Sequence, residues 1–223
     1  LYAFRMLGLF MLLPVLSLYA DQYSGNTTIL IGVALGIYGL TQGLFQIPLG
    51  FLSDRIGRKP VIFAGMLVFF CGSVLAAMSD SMWELIAGRA LQGVGAVAST
   101  IMALLSDLTT EQNRTKAMAV IGGSIGVAFA ISMIAGPILA NLWGLPGLFW
   151  LTAALAICGI LILLFVIPSP MVVKLNAESQ AIPQMFGKLL RDRELLRLNF
   201  GIAVLHFAQM ATWISVPLIL EQT

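Results

Sequence analysis

The sequence predicts an all-α integral membrane protein, and its composition and its long apolar stretches are the basis of that prediction. Of the 223 residues, 59% are hydrophobic and only 10% are charged, whereas about 25% of the residues of a typical soluble domain are charged. A helix that crosses a bilayer needs about 20 mostly apolar residues. Such stretches are predicted near residues 3–20, 29–50, 60–79, 82–106, 115–140, 147–167 and 197–219. They are too long and too numerous for the buried helices of a soluble protein.

The positions of the basic residues predict how these spans are oriented. Lys and Arg follow the second, fourth and sixth spans, in the segments 55–59, 114–116 and 174–197. Neither residue occurs in the alternate loops, near residues 21–28, 80–82 and 141–146. Because basic residues are enriched in cytoplasmic loops, the N-terminus and the ends of the even-numbered spans are predicted to lie in the cytoplasm. The net charge of +2 is too small to indicate a nucleic-acid partner.

The chain is predicted to consist of three parts. They are a six-helix bundle, a cytoplasmic linker with three prolines and mixed charge, and a seventh helix, at residues 1–167, 168–196 and 197–223. The chain begins with Leu1 instead of Met, and one helix after the linker has no companions to pack against. We therefore expect the front of the first span to be incomplete and a second bundle to be missing.

A cluster of charge separates the second and third spans. Residues 50–59 read Gly-Phe-Leu-Ser-Asp-Arg-Ile-Gly-Arg-Lys. This segment resembles the G-x-L-x-D-R-x-G-R-K signature of the major facilitator superfamily, with matches at Gly50, Leu52, Asp54, Arg55, Gly57, Arg58 and Lys59. The resemblance implies the superfamily fold, in which the N-terminal bundle consists of two three-helix inverted repeats. It also implies that the matched loop residues control a conformational gate.

Two acidic residues near the end of the fourth span are expected to be partners of this loop. In families of this kind, such acids pair with the basic residues of the loop, so Asp107 is expected to meet Arg58 or Arg55, and Glu111 to join the network. Exposed ion pairs contribute only about 0–1 kcal/mol each. The expected function is a latch that breaks when the protein changes conformation, and a solvated, unpaired acid remains the alternative.

The fourth span contains a second resemblance to the superfamily, to its R-x-x-Q-G-x-G motif. The matching residues are Arg89, Gln92, Gly93 and Gly95. An ionised side chain inside a span is costly and usually faces protein or a watery cavity. The resemblance implies a role for Arg89 and Gln92 in substrate or proton coupling. Snorkelling of Arg89 to the outer interface is the alternative, and helix packing is the alternative for the glycines.

The fifth span resembles the antiporter signature in a degenerate form. Gly123 and the pair Gly136-Pro137 match, whereas Ser132 and Ala140 stand where the signature has glycine. Because both replacements are small, close helix packing is expected to survive. The pattern favours proton antiport over uniport, and a proline bend without any transport specificity is the alternative.

Three further stretches are similar to the YajR-type bacterial transporters, namely Arg5 to Leu16, Ile37 to Lys59, and Leu198 to Gly201 with His206. This resemblance implies proton-driven drug efflux. Six polar residues are expected to face a transport cavity: Arg5, Tyr38, Gln42, Gln46, Arg89 and Gln92. Flexible apolar residues are expected to line it, namely Met6, Phe10, Met11 and Phe45. Because histidine as a residue type changes charge near neutral pH, His206 in the seventh span is expected to take part in proton coupling, with a structural role as the alternative.

The sequence therefore predicts a proton-coupled exporter of small lipophilic molecules in a bacterial inner membrane, working by alternating access. Its expected partners are the bilayer, a small-molecule substrate, protons and the missing C-terminal bundle. The sequence has no rings of like charge of the kind that channels use, so a channel is not expected. It has no nucleophile with a matching base, so an enzyme is not expected. No cofactor or metal site is indicated. The alternatives are a receptor or scaffold of transporter ancestry, or a transporter for one metabolite such as a sugar or amino acid.

Overall fold

The computed structural model describes residues 1–95, 97–168 and 191–221, and the regular structure in these residues is helical. A short 3₁₀ turn, Ala20–Gln22, follows the first helix. The seven α-helices are α1 Tyr2–Tyr19, α2 Thr28–Ile56, α3 Arg58–Ala77, α4 Met82–Val94, α5 Ala98–Leu108, α6 Glu111–Phe165 and α7 Arg193–Glu221. Thus α4 and α5 together occupy the fourth predicted span.

Five helical segments among the described residues are long and apolar enough to cross a membrane, which confirms the predicted all-α membrane class. They are Tyr2–Tyr19, Thr28–Ile56, Arg58–Ala77, Met82–Leu108 and Glu111–Phe165. The last has 55 residues in two helical arms, whose combined rise is about 80 Å at 1.5 Å per residue. That length exceeds two bilayer crossings, so α6 accounts for both the fifth and the sixth predicted spans.

The break within α6 lies at Gly144, and it replaces the loop that the sequence predicts over residues 141–146. Gly144 has φ 68° and ψ −179°, whereas helical structure continues on both sides. A positive φ is easily reached by glycine, and Pro146 occupies the first turn of the second arm, where its missing N–H has no cost. One glycine is therefore sufficient to separate two spans. Pro137 keeps helical backbone angles, and the bend expected there stays a prediction.

Short connections with local caps fix the ends of the other helices. Thr27 accepts a hydrogen bond from the Leu30 N–H at 3.3 Å at the start of α2. Ser81 and Glu84 form a reciprocal capping box at the start of α4. Between α2 and α3 stands only Gly57, at φ 100°. These short connections force consecutive helices to be neighbours.

Small residues allow α3 and α4 to pack with their backbones in contact. A Cβ added to Gly88 would lie 2.7 Å from the Ala76 nitrogen, and one on Gly95 would lie 2.5 Å from the Gly65 oxygen. Gly93 in the same way faces the Tyr38 backbone of α2. Close contact of this kind provides much of the association of helices in lipid. The packing expected for Gly93 and Gly95 is therefore present.

The first arm of α6 (residues 111–143) packs on α1, and the second arm (residues 145–165) packs on both α1 and α3. A Cβ on Gly136 would lie 2.7 Å from the Met11 oxygen, and Ser132 donates to the Leu7 oxygen at 3.0 Å. Gly123 is exposed and meets nothing within 4 Å among the described residues. The packing expected for Gly123 therefore stays a prediction.

Candidate functional site

Two arginines are enclosed in the bundle and meet at one tyrosine. Arg5 of α1 and Arg89 of α4 are each 1% exposed. Nη2 of Arg5 donates a hydrogen bond to Oη of Tyr38 on α2 at 2.6 Å. The guanidinium carbon of Arg89 lies 4.9 Å from the centroid of the Tyr38 ring. Tyr38 therefore holds one guanidinium at its hydroxyl and the other over its face.

Hydrogen bonds to α2 and to its own helix, α4, hold the head group of Arg89. Its Nε donates to the Ala34 oxygen of α2 at 3.3 Å, and its Nη1 donates to Oε1 of Gln92 at 2.9 Å. Arg89 and Gln92 are three residues apart, so they share one face of α4. Gln92 is fully buried. These contacts hold the guanidinium inside the bundle, and snorkelling to the interface is not observed.

Ser73 of α3 completes this cluster and was missed by the sequence analysis. Nε2 of Gln92 donates to Oγ of Ser73 at 2.8 Å, and Ser73 donates to the Phe69 oxygen at 2.8 Å. The two bonds fix which end of the Gln92 amide faces Arg89. The only signal in the sequence is a hydroxyl within an apolar run, which is also typical of a packing serine. The buried arginine cluster comprises Arg5, Tyr38, Ser73, Arg89 and Gln92.

The buried arginine cluster has two cations and no carboxylate partner among the described residues. The guanidinium carbon of Arg5 lies 5.8 Å from the Phe69 ring centroid. Such cation–π contacts are worth about 0.5–2 kcal/mol, less than the several kcal/mol that desolvation of an ion costs. Nε and Nη1 of Arg5 are buried without a hydrogen-bond partner. The cluster therefore has unused donors next to uncompensated positive charge.

Four of the six residues expected to face a cavity are instead enclosed by their own bundle. They are Arg5, Tyr38, Arg89 and Gln92. Their polar groups find acceptors and aromatic faces between the helices, which the hydrocarbon does not offer. Gln42 and Gln46 are half-buried, and Nε2 of Gln42 lies 3.4 Å from Oε1 of Gln46. Of the six expected cavity residues, these two glutamines of α2 are the ones that reach the surface of the bundle.

Arg58 is the centre of residues 50–59, which we call the charged loop although only Gly57 lies outside α2 and α3. It forms an ion pair with Asp54 four residues earlier, its Nη1 donates to Oγ of Ser53 at 2.7 Å, and its Nε donates to Oδ2 of Asp107 at 3.1 Å. Of the two partners expected for Asp107, the structure thus selects Arg58. Arg55 is exposed and makes no ion pair with the described residues.

The charged loop also contacts the end of α6, through a residue other than the one expected. Nζ of Lys59 donates to the oxygen of Ile167, just beyond the last turn of α6. A cation at this point complements the carbonyl groups of a helix C-terminus. Glu111, expected to join the network, is exposed at the start of α6 and pairs with no basic side chain that the structure describes.

Helix α7 is described by itself. Oδ1 of Asp192 accepts from the Glu194 N–H at 3.0 Å and caps its start. His206 is exposed, and its Nδ1 lies 3.0 Å from the Ile202 oxygen of the same helix. The role expected for His206 in proton coupling stays a prediction.

Comparison with known proteins identifies the family. A family model of the Major Facilitator Superfamily matches residues 1–223. The chain is 55% identical over 216 residues to the inner membrane transport protein YajR of Escherichia coli (strain K12), across 97% of this chain and 48% of that protein. It is 42% identical to an uncharacterized transporter of Buchnera aphidicola subsp. Schizaphis graminum (strain Sg), across 97% and 55%. The chain thus spans about half the length of these curated relatives.

More distant matches include a tetracycline resistance protein and an organic anion transporter. The class B tetracycline resistance protein of Escherichia coli is 32% identical over 141 residues, covering 62% of this chain and 34% of that protein. The fold is similar to that of the human organic anion transporter MFSD10, with a TM-score of 0.61 and 21% identity over 77% of this chain and 46% of that one. The relatives are transporters and not enzymes, and they support a multi-pass location in a bacterial inner membrane. The chain belongs to the major facilitator superfamily.

Proposed function

We propose that this chain is the N-terminal bundle of a proton-coupled transporter that exports small lipophilic molecules by alternating access. In this proposal residues 1–167 form one of two bundles that tilt around a central site. Residues 168–196 form the cytoplasmic linker, and residues 197–223 begin the second bundle. The N-terminus lies in the cytoplasm, on the side of the charged loop.

The buried arginine cluster is the observation that carries this proposal. Two guanidinium groups at 1% exposure do not help a helical bundle to be stable in lipid, because each one costs several kcal/mol to desolvate. Ionisable groups retained inside a membrane typically mark substrate or proton pathways. The cluster joins α1, α2, α3 and α4, so a change in its charge partners acts on four helices together.

The contacts of the charged loop support the gating part of the proposal. Asp54, Arg58 and Asp107 connect the end of α2 to the end of α5. Asp107 is exposed, and Arg58 and Asp54 are only half-buried, so each ion pair contributes about 0–1 kcal/mol. Contacts of this size hold a conformation without preventing its release. They suit a latch that opens once in every transport cycle.

The names of some relatives support export as the direction of transport. Tetracycline resistance proteins share 32% identity with the chain over 141 residues. The comparisons leave the coupling ion open, and the degenerate antiporter signature around Gly136 and Pro137 favours protons. We assign no residue as the proton carrier, since the interior of the described spans contains no carboxylate.

Flux through the full-length protein in proteoliposomes tests the proposal. A pH-sensitive dye inside the liposomes reports proton movement when tetracycline or another lipophilic compound is supplied on one side. We expect protons to move opposite to the compound, and an imposed pH gradient to concentrate the compound. Uptake that ignores the pH gradient would contradict proton coupling. Absence of flux for a broad panel of compounds would favour a receptor or scaffold.

A further inference from the structure

We propose that the transported molecule carries an anionic group, and that Arg5 and Arg89 select for it. This inference rests on the proposed function and adds a substrate class to it. It follows from three properties of the described residues, namely the charge balance of the spans, the free donors of Arg5, and a row of polar residues that leads from the bundle surface to the buried arginine cluster.

The charge balance of the membrane interior is positive. Arg5 and Arg89 are each 1% exposed and enclosed between helices, whereas the carboxylates of the described spans lie at helix ends near the surface of the bundle. Glu84 is in the first turn of α4 and accepts hydrogen bonds from the backbone of Asp80 and Ser81. Asp107 is next to the last residue of α5 and pairs with Arg58. Neither carboxylate is available to neutralise the two buried cations.

The free donors of Arg5 point to a missing acceptor. Of its three nitrogens, only Nη2 has a hydrogen-bond partner, and that partner is the uncharged hydroxyl of Tyr38. Guanidinium groups form their strongest hydrogen bonds with carboxylate and phosphate oxygens. Tyr38 accepts from Arg5 and keeps its own proton free to donate. An anionic group would satisfy the donors of both side chains.

A row of polar side chains on α2 connects this point to the bundle surface. Tyr38, Gln42 and Gln46 are spaced by four residues, so they lie on one face of the helix. Exposure decreases along the row, from the half-buried glutamines to the enclosed tyrosine. Their amide groups offer donors to a passing anion. Because interaction between charges is weakly screened in a low-dielectric interior, both arginines also favour an anion that stops at the glutamines.

The rival explanation is a carboxylate from another part of the full-length protein that neutralises Arg5. In that case the site has no remaining preference for anions, and a substrate would be neutral or cationic. The two explanations therefore predict different binding orders for compounds that differ only in charge.

Binding by matched compounds tests the inference. Purified full-length protein in a neutral detergent is titrated with 1-naphthoate, methyl 1-naphthoate and 1-naphthylmethylammonium, and with the same three derivatives of biphenyl and anthracene, while its thermal unfolding is followed. We expect at least one ring system whose carboxylate binds at least tenfold more tightly than its ester and its ammonium. Ammonium compounds that bind as tightly as their carboxylates, or carboxylates that fail to bind up to millimolar concentration, would overturn the inference.

Variants identify the residues responsible. Arg5→Gln and Arg89→Gln should each reduce the carboxylate preference at least fivefold, whereas Arg114→Gln, which removes an exposed cation of α6, should leave it unchanged. Should Arg5→Gln not fold, Arg5→Lys keeps the charge and should keep the order of carboxylate over ammonium. A carboxylate preference that survives in both glutamine variants would remove these arginines from selection.

The binding test of anion selection and the liposome test of the proposed function can fail independently of each other. Carboxylates that bind but move no protons in the liposome assay would refute proton exchange and leave anion selection intact. A cationic compound that moves protons, with no carboxylate binding, would support the exchange and refute anion selection.

Discussion

Replacing Ser73 with alanine should weaken the buried arginine cluster through Gln92. The change removes the acceptor of Gln92 Nε2 at 2.8 Å and leaves that donor without a partner in the bundle interior. It also removes the bond from Ser73 to the Phe69 oxygen, but that carbonyl keeps its place in α3. The loss should therefore be measured as an interaction between Ser73 and Gln92, separately from the effect of either substitution alone.

The magnitude follows from polar contacts between membrane helices. Double-mutant cycles in such proteins give about 0.6 kcal/mol on average and up to about 1.7 kcal/mol. Because Ser73 and Gln92 are both fully buried, we expect a coupling energy toward the upper end, about 1–1.5 kcal/mol. The cycle combines Ser73→Ala with Gln92→Leu in the full-length protein. Reversible unfolding by a denaturing detergent in mixed micelles, followed by circular dichroism, gives the free energies.

Ser124 provides a matched control. Its hydroxyl is half-buried and bonds only to the Ile121 oxygen of its own helix at 2.7 Å. Ser124→Ala with Gln92→Leu should therefore be additive within about 0.3–0.5 kcal/mol, as for independent sites. A coupling energy in that range for Ser73 and Gln92 would refute the assignment of Ser73 as the residue that positions the Gln92 amide.

Three further outcomes are expected. Gly136→Val should lower the yield of folded protein on size-exclusion chromatography, because its Cβ would lie 2.7 Å from the Met11 oxygen; a wild-type yield would contradict the packing of α6 on α1. Asp54→Asn should slow transport by full-length protein in liposomes at equal protein level, because Arg58 loses one of its two acidic partners; unchanged flux would exclude a gating role. Arg55→Cys should react with an impermeant maleimide in inverted vesicles and not in intact cells, because Arg55 is exposed in a loop predicted to be cytoplasmic; labelling of intact cells would reverse the topology.

The spans and the charged loop could be predicted because each depends on a local pattern. Twenty apolar residues have few alternatives to a membrane helix, and a dense group of charges cannot remain in lipid. The partner of Asp107 was narrowed to two arginines by the motif alone. Asp107 pairs with Arg58 and not with Arg55, because Arg58 is the first residue of α3 and lies beside the end of α5, whereas Arg55 is exposed.

The enclosure of the polar residues could not be predicted, since it depends on three-dimensional neighbours. A polar residue within an apolar helix is compatible with a cavity and with a contact between helices. Arg89 is enclosed because the oxygen of Ala34, 55 positions earlier, lies within reach of it. For the same reason the hydroxyl of Ser73 was not a distinctive signal, since its partner Gln92 is on the next helix. The separation of the two arms of α6 was predicted, but its reduction to the single residue Gly144 was not, because a short loop and one positive φ leave the same pattern in the sequence.

Helix α3 physically connects the charged loop to the buried arginine cluster. Its first two residues, Arg58 and Lys59, bind the ends of α5 and α6, and Ser73 lies 15 residues further along, about 22 Å at 1.5 Å per residue. The helix is unbroken between them, and Gly72 and Gly88 hold it against the backbone of α4. Packed helices of this kind shift as rigid elements and do not deform continuously. If the proposed function is correct, a change in the charge partners of Arg89 should therefore act on α3 through Gln92 and Ser73, and the same movement should displace Arg58 and Lys59 from the ends of α5 and α6.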